Sequence, residues 1–557
     1  MKSLLKAAAM LLAASGSMIS WTARAEDTSR PNIVIIVADD LGFSDLGAFG
    51  GEIRTPHLDK LAVAGIRLTD FHAAPTCSPT RSMLLSGTDN HTAGVGAMAE
   101  LALPSARAPT WGYEGVLTQR VATLAERLAA SGYFTTMAGK WHLGLKPDED
   151  PRARGFATSF ALLQGASNHF GGGVGPDSNP HFTATYTQDG KVVGLPVAFY
   201  SSDYFTARLI SQLDARPKGK PFFAYLAFTA PHWPLQAPQR DIERYKGRYD
   251  KGWAALRQER LARMKRLRLI PADIVPAPFN ANEQAWEELT AEQKRTESRK
   301  MEIYAAMVDR LDQNVGRLVA RLKASGDYEN TLFFFTADNG AAGEDAELFG
   351  SIPGMGPYLE TRDNSYGKMG SKESTLFYGP HWAQAATAPS RFHKGMMTDG
   401  GTRVAAFMTF SRLARQKTIS SVFSNVMDIA PTVLDIAAIP RADIVEGRRV
   451  AAIRGKSMLP YLSDRQKDVH APEEAISFEL HGQRAVRQGD WKLAWLPGPW
   501  GNASWALYNL TTDPAEQTDL STHYPRRKQA LMDAWTVFAK ETHILDAPSP
   551  RDQVVSR

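Results

Sequence analysis

Four runs along the chain are too continuously apolar or β-branched for either a two-residue alternation or a helical period, and each stops at polar groups. "NIVIIVADDLG" ends at Asp39 and Asp40, and "FTTMAGKWHLG" at Lys140 and His142. "PFFAYLAFTAPHWP" ends at His232, and "TLFFFTADNGA" at Asp338 and Asn339. Runs of this length bounded by Gly and Pro predict strands buried on both faces, as in a parallel sheet covered by helices. Between them, Leu117–Gly132 and Met301–Gly326 set apolar residues at helical spacing and stop at a glycine, which predicts two helices. The order is an α/β alternation: a mostly parallel central sheet sandwiched by helices. Ligands of such sheets bind beyond the carboxyl ends of the strands, so the seven polar residues point to one crevice. An ordinary turn residue is the alternative for any one run, and four runs ending alike weigh against it.

The pattern changes after about Ala442. "AVRQGDWKLAWLPGP" and "ASWALYNLTTDPAEQTDLS" read as antiparallel strands with turns, followed by a helix over Pro525–Glu541. This predicts a smaller C-terminal α+β domain with an antiparallel sheet over 442–557, after an α/β domain over 26–441. The basic stretch Arg240–Arg268 reads as a solvated helix with an apolar stripe.

Residues 1–25 have another character. Lys2 and Lys6 precede a short apolar run, and Ala23-Arg24-Ala25 precede Glu26, the order of a secretory signal peptide with its cleavage site. The run is too short to span a bilayer, so the expectation is an exported, periplasmic or secreted protein without a membrane span. Losing Lys2, Lys6 and Arg24 takes the formal charge from +5 to +2, and the basic balance then gives no indication of a nucleic-acid partner. With 43% hydrophobic residues the chain can bury a large core. It must do so without an internal disulfide, because Cys77 is its single cysteine.

Asp39, Asp40, Asp338 and Asn339 offer oxygen ligands, which select a hard cation such as Ca²⁺ or Mg²⁺ over zinc. Around them, Arg81, Lys140, His142, His232 and Lys394 give a surplus of positive charge suited to a sulfate or phosphate group. Cys77 precedes Ser78 and Pro79, which predicts a helix start with Ser78 as N-cap and the thiol at the positive helix end. Soft sulfur is a poor partner for a hard cation, so this position asks for oxygen where the gene encodes sulfur.

The stretch "CSPTRSMLLSG" from Cys77 to Gly87 resembles the C-x-P-x-R signature of the type I sulfatases, in which the cysteine is oxidised to formylglycine. "GKWHLG", "APHWPLQAP", "ADNG", "HKGMMTDGGTR" and "LYNLTTDPAEQTDLS" extend the likeness over nearly the whole mature chain. The chain looks most like bacterial arylsulfatases of the alkaline phosphatase superfamily. The resemblance implies an alkaline phosphatase-like fold and hydrolysis of sulfate esters to an alcohol or phenol and inorganic sulfate. It implies Ca²⁺ held by Asp39, Asp40, Asp338, Asn339 and one oxygen of the modified Cys77. Arg81 and Lys140 would hold the hydrated formylglycine, and Lys394 and His232 the sulfate ester. One diol oxygen would attack sulfur to give a covalent sulfo-enzyme, with the leaving proton from His232 or Lys394, and His142 would be the base that expels sulfate. The partners implied are a small-molecule sulfate ester and a formylglycine-generating maturation enzyme. Within the superfamily, a phosphonate monoester or phosphodiester hydrolase is the alternative. Outside it, the alternative is a binding protein that captures sulfated ligands without turnover.

Overall fold

The computed structural model describes residues 30–101, 110–280, 284–352 and 354–545, so the expected leader over 1–25 lies outside them. Ten strands form one sheet: β1 (Asn32–Ala38), β2 (Ile66–Leu68), β3 (Phe134–Lys140), β4 (Thr158–Leu162), β5 (Tyr186–Gln188), β6 (Lys191–Val192), β7 (Phe222–Ala227), β8 (Thr331–Ala337), β9 (Ala406–Thr409) and β10 (Thr418–Ser420). Their spatial order is β10-β2-β9-β8-β1-β7-β3-β4-β5-β6. The central strands β8, β1, β7, β3 and β4 are parallel, and β9 and β5 flank them in the opposite sense. The four runs of the sequence are β1, β3, β7 and β8, side by side. Every residue of β1, β7 and β8 is buried, which is why their sequences show no alternation.

The helices that concern the site are α1 (Pro56–Ala64), α2 (Cys77–Ser86), α3 (Leu124–Ala130), α4 (Ser201–Asp214), α5 (Gly252–Arg266), α6 (Ala291–Ala324), α7 (Ile429–Ile436) and α8 (Pro525–Glu541). Helices α1, α4 and α6 pack together, and α2, α3 and α7 form a second group. Two helix starts differ from expectation. Leu117–Ala122 is not helical, because Thr123 and Glu126 close a reciprocal capping box that starts α3 at Leu124. The freed carbonyls of Leu117 and Val121 accept instead from the buried Arg154 guanidinium. Helix α6 starts ten residues before the expected Met301, where Thr290 and Gln293 cap it in the same way.

The basic stretch also differs. Helix α5 buries Trp253, Leu256 and Met264 as its apolar stripe, but turns Arg257 and Arg260 inward as well. Arg260 is wholly buried against Asp45 at 2.5 Å and both oxygens of Glu52 at 2.8 and 2.9 Å. Part of this charge therefore fastens the loop that follows β1, where a solvated face was expected.

The C-terminal sheet consists of β11 (Ala475–Leu480), β12 (Gln483–Gln488), β13 (Trp491–Trp495) and β14 (Trp505–Asn509), antiparallel in chain order. Leu531, Trp535 and Phe538 of α8 cover Val486, Leu493 and Leu507 on one face. Among the described residues, no helix is long and apolar enough to cross a membrane.

Candidate active site

Helix α2 sets the centre. Cys77 is its first residue, so the N-cap is Thr76, whose side chain makes no capping bond; the expected N-cap, Ser78, lies inside the first turn. Its hydroxyl has no hydrogen-bond partner, since a residue already in the helical conformation cannot fold its oxygen back onto the open amides. Every residue of α2 is buried, and Arg81 follows Cys77 at i+4 on the same helix face.

The ends of β1, β3, β7 and β8 converge on this helix start. Asp39 and Asp40 follow β1, with Oδ1 atoms 3.4 and 4.0 Å from the Cys77 Sγ. Lys140 closes β3 and donates to Asp39 at 2.7 Å. Asp338 and Asn339 follow β8; Arg81 donates Nε and Nη2 to one Asp338 oxygen at 3.0 and 2.7 Å, and Nη1 to the Lys140 carbonyl at 3.0 Å. Asn339 donates to Asp40 at 2.6 Å, while its own Oδ1 is buried without a partner. Lys394 reaches in from a later loop to Asp40 at 2.9 Å. His232 Nε2 lies 3.5 Å from Asp40, and its Nδ1 meets the Trp233 carbonyl at 2.6 Å. Asp39, Asp40, Cys77 and His232 thus bring metal-ligating atoms within 4.8 Å of one another. Three carboxylates and three cations share one buried volume.

Two residues of the crevice hold left-handed backbone, Asp40 at φ 66° and His142 at φ 56°. Such conformations cost non-glycine residues energy and gather at functional sites. His142 packs against Gly165, where a Cβ would meet its ring at 2.5 Å, so a larger residue there would displace the ring. Its Nε2 is 3.0 and 3.2 Å from the two Glu100 oxygens, and its Nδ1 has no partner.

Burial and the neighbouring Asp338 push the Asp39 carboxyl up to about 7, and burial pushes Asp40 up to about 6 against the pull of Lys394. Asp338 lies below the usual carboxylate range, because Arg81 and Lys140 outweigh its burial. Burial and Asp338 push the Cys77 thiol well up, so an unmodified sulfur here stays protonated and a weak nucleophile. Burial, then Lys394 and Lys140, push His232 well down; burial pushes His142 down against Glu100.

A cavity of about 140 Å³ opens over Cys77, His142, His232 and Lys394. Its far wall is apolar: Trp233 meets Phe349 at 4.5 Å between ring centroids, and Phe349 meets Phe182 at 5.8 Å. The structure therefore brings together every residue singled out in the sequence. It adds Glu100, Phe349 and His481, the last from the turn between β11 and β12. Glu100 sits in a three-residue helical turn and Phe349 in a five-residue helix, both too short to show a period, and His481 belongs to a turn whose course no local pattern gives.

A family model described as Sulfatase matches residues 31–439. An uncharacterized sulfatase of Schizosaccharomyces pombe is 45% identical over 535 residues, covering 94% of this chain and 96% of the relative. An arylsulfatase of Klebsiella aerogenes is 41% identical over 430 residues, covering 77% and 91%. Among solved structures, a chain in complex with k-i-k-neocarrahexaose superposes with a TM-score of 0.63 at 24% identity, over 92% of this chain and 93% of that one, a likeness of fold.

Proposed function

The chain belongs to the sulfatase family and is a sulfuric ester hydrolase, and from that premise we propose that it cleaves apolar, chiefly aryl, sulfate esters at residue 77 after its oxidation to formylglycine, with Ca²⁺ at the strand ends. The observation that carries this reading is the convergence of Asp39, Asp40, Arg81, Lys140, Asp338, Asn339 and Lys394 on the buried Cys77. A sulfatase turns over its substrate, so a purely binding role is set aside.

The donor set fits the cation. Asp39, Asp40 and Asp338 supply carboxylates, and the unpartnered Asn339 Oδ1 is a buried oxygen that a hard cation would satisfy. With an oxygen on residue 77 these groups would hold Ca²⁺, which supplies positive charge opposite the ester's oxygens. Formylglycine, as its hydrate, supplies an oxygen nucleophile and a second hydroxyl through which sulfate can leave.

Arg81 and Lys140, fixed by Asp338 and Asp39, hold and orient residue 77. Lys394, kept charged by Asp40, gives N–H donors to sulfate oxygens. The neutral His232 ring donates Nδ1–H to the Trp233 carbonyl and presents Nε2 as an acceptor, so the leaving oxygen takes its proton from Lys394. His142 is the base for sulfate release. The walls formed by Phe182, Trp233 and Phe349 exclude water and suit a flat, apolar leaving group over a sugar.

The same reading includes the leader over 1–25, export to the periplasm or beyond, and a maturation enzyme that acts on Cys77. It also divides the chain at 26–441 and 442–557, which the end of the family match at 439 supports. Initial rates across phenyl and naphthyl sulfates, sugar sulfates, a phosphonate monoester and a phosphodiester, with metal content measured alongside, test it. Higher kcat/KM for aryl sulfates with stoichiometric calcium is the expected result. Preference for the phospho-ester, or zinc in place of calcium, overturns it.

A further inference from the structure

Glu100 lies outside the sequence motifs, yet it is a carboxylate inside the reaction cavity. Its two oxygens face one ring nitrogen of His142, at 3.0 and 3.2 Å, and the ring occupies the space that a Cβ on Gly165 would need. A carboxylate accepts but cannot donate, so Nε2 carries the hydrogen and Nδ1 is the atom with a free lone pair. Nδ1 is buried and has no other partner. Cys77, Glu100 and His142 line the same cavity.

We infer that Glu100 is a positioning residue for the second half of the reaction: it fixes the His142 tautomer and balances the charge the ring gains on taking a proton. The inference rests on the reading of His142 as the base that releases sulfate. The proton moves from the free hydroxyl of residue 77 to Nδ1 while that oxygen's electron pair forms the C=O bond and the C–O bond to sulfate breaks, sulfate leaving with its electrons; the ring becomes an imidazolium with N–H at both nitrogens, and Glu100 stays ionised throughout. Glu100 is well placed for that role, since the facing ring holds its carboxyl down at about 2 in spite of burial. The charged groups that weigh most on His142 are Glu100, Lys140 and Arg81; the two cations oppose protonation and Glu100 favours it, while His181 of the same cavity acts on Glu100. The arrangement resembles the acid that orients a catalytic histidine in acyl transfer, reached here from a different fold.

The test uses the mature enzyme as wild type, Glu100→Gln, Glu100→Ala, His142→Ala and Glu100→Gln/His142→Ala. Turnover is normalised to the formylglycine fraction read by peptide mass spectrometry, and thermal melts check folding. Glu100→Gln keeps the side chain's size and can still accept from Nε2, so it guards against loss of fold. It should lower kcat by about 10- to 100-fold, the range of an outer carboxylate behind a functional histidine, with KM for an aryl sulfate changed less than threefold. The acid limb of the kcat profile should move to lower pH, because removing the carboxylate makes His142 harder to protonate; a merely structural role would leave that limb in place. In the His142→Ala background, Glu100→Gln should have no further effect. Wild-type kcat and an unmoved limb in Glu100→Gln overturn the inference, as does an undiminished effect without His142. If His142→Ala itself turns over at the wild-type rate, the reading of His142 as base has failed instead.

Discussion

Asp338→Asn separates the contact this carboxylate makes, holding Arg81, from the duty proposed for it, holding the cation. Arg81 is wholly buried and gives two hydrogen bonds to a single Asp338 oxygen, at 3.0 and 2.7 Å. Stripping one partner from such a buried pair costs about 3–5 kcal/mol, and the amide oxygen restores about 1 kcal/mol as a neutral hydrogen bond. Relief of repulsion works in the other direction. Asp39 is raised from 3.8 to about 7 chiefly by burial and next by Asp338, with Lys140 and Arg81 pulling the other way. Losing the Asp338 charge relieves part of that rise, and about one pKa unit of relief is roughly 1 kcal/mol. Chelator-treated Asp338→Asn should therefore be destabilised by about 1–3 kcal/mol relative to chelator-treated wild type. With calcium in excess the gap should widen, since the variant has lost one of three charged ligands and binds the ion about tenfold more weakly or worse. The assay is denaturant unfolding in chelator and in calcium, with calcium content by atomic emission and kcat on an aryl sulfate. A variant that keeps one calcium per chain through dialysis, and turns over like the wild type, would refute both the ligand assignment and the stated balance of forces.

Cys77→Ser keeps an oxygen nucleophile at the start of α2 but has no second hydroxyl, so it should release at most about one equivalent of phenol and retain sulfate on residue 77; many turnovers at the wild-type rate would sink the elimination scheme. Phe349→Ala removes the ring that meets Trp233 at 4.5 Å and should raise KM for naphthyl sulfate about two- to tenfold, with little effect on a short alkyl sulfate; equal changes for both would show that the wall does not select the leaving group. Away from the cavity, Asp428 at 2.8 Å and Glu474 hold His470 above its ordinary value although burial opposes them. This contact stabilises the fold fully below about pH 6.5 and is lost as pH rises through the higher folded-state value. His470→Gln should flatten that segment of the stability curve in unfolding measured from pH 5.5 to 8.5, and an unchanged slope would count against it.

The strand ends were legible because a parallel sheet buries both faces: Ile33–Val37 and Leu332–Phe335 are unbroken in apolarity, and Asp39 or Asp338 marks where each leaves the core. Cys77 and Arg81 were legible through a local motif four residues apart. Helix starts were read less well. Apolar spacing over Leu117–Ala122 is the same whether those residues pack as helix or as extended chain, and the side chains of Thr123 and Glu126 decide the matter. Arg260 was read as solvated because its partners, Asp45 and Glu52, lie some 200 residues away in the chain. Glu100 and Phe349 sit on helical turns of three and five residues, and nothing local encodes where so short an element packs.

The position of β1 has a consequence in time. It lies between β7 and β8, with Ile33 paired to Phe223 on one side and Leu332 on the other, so the first strand to be synthesised is among the last to be fully paired. Pairings this distant in sequence are slow to form. Until residues 331–337 have been made and docked, Asp338 is missing from Arg81, and nothing closes over residue 77. In the finished fold Cys77 is only 2% exposed. On the proposed reading, a maturation enzyme that grips the segment from Cys77 to Arg81 would have its opportunity before β8 docks, and folding itself would end that opportunity. For the same reason, no N-terminal fragment that stops short of β8 can carry an incomplete but working version of the site.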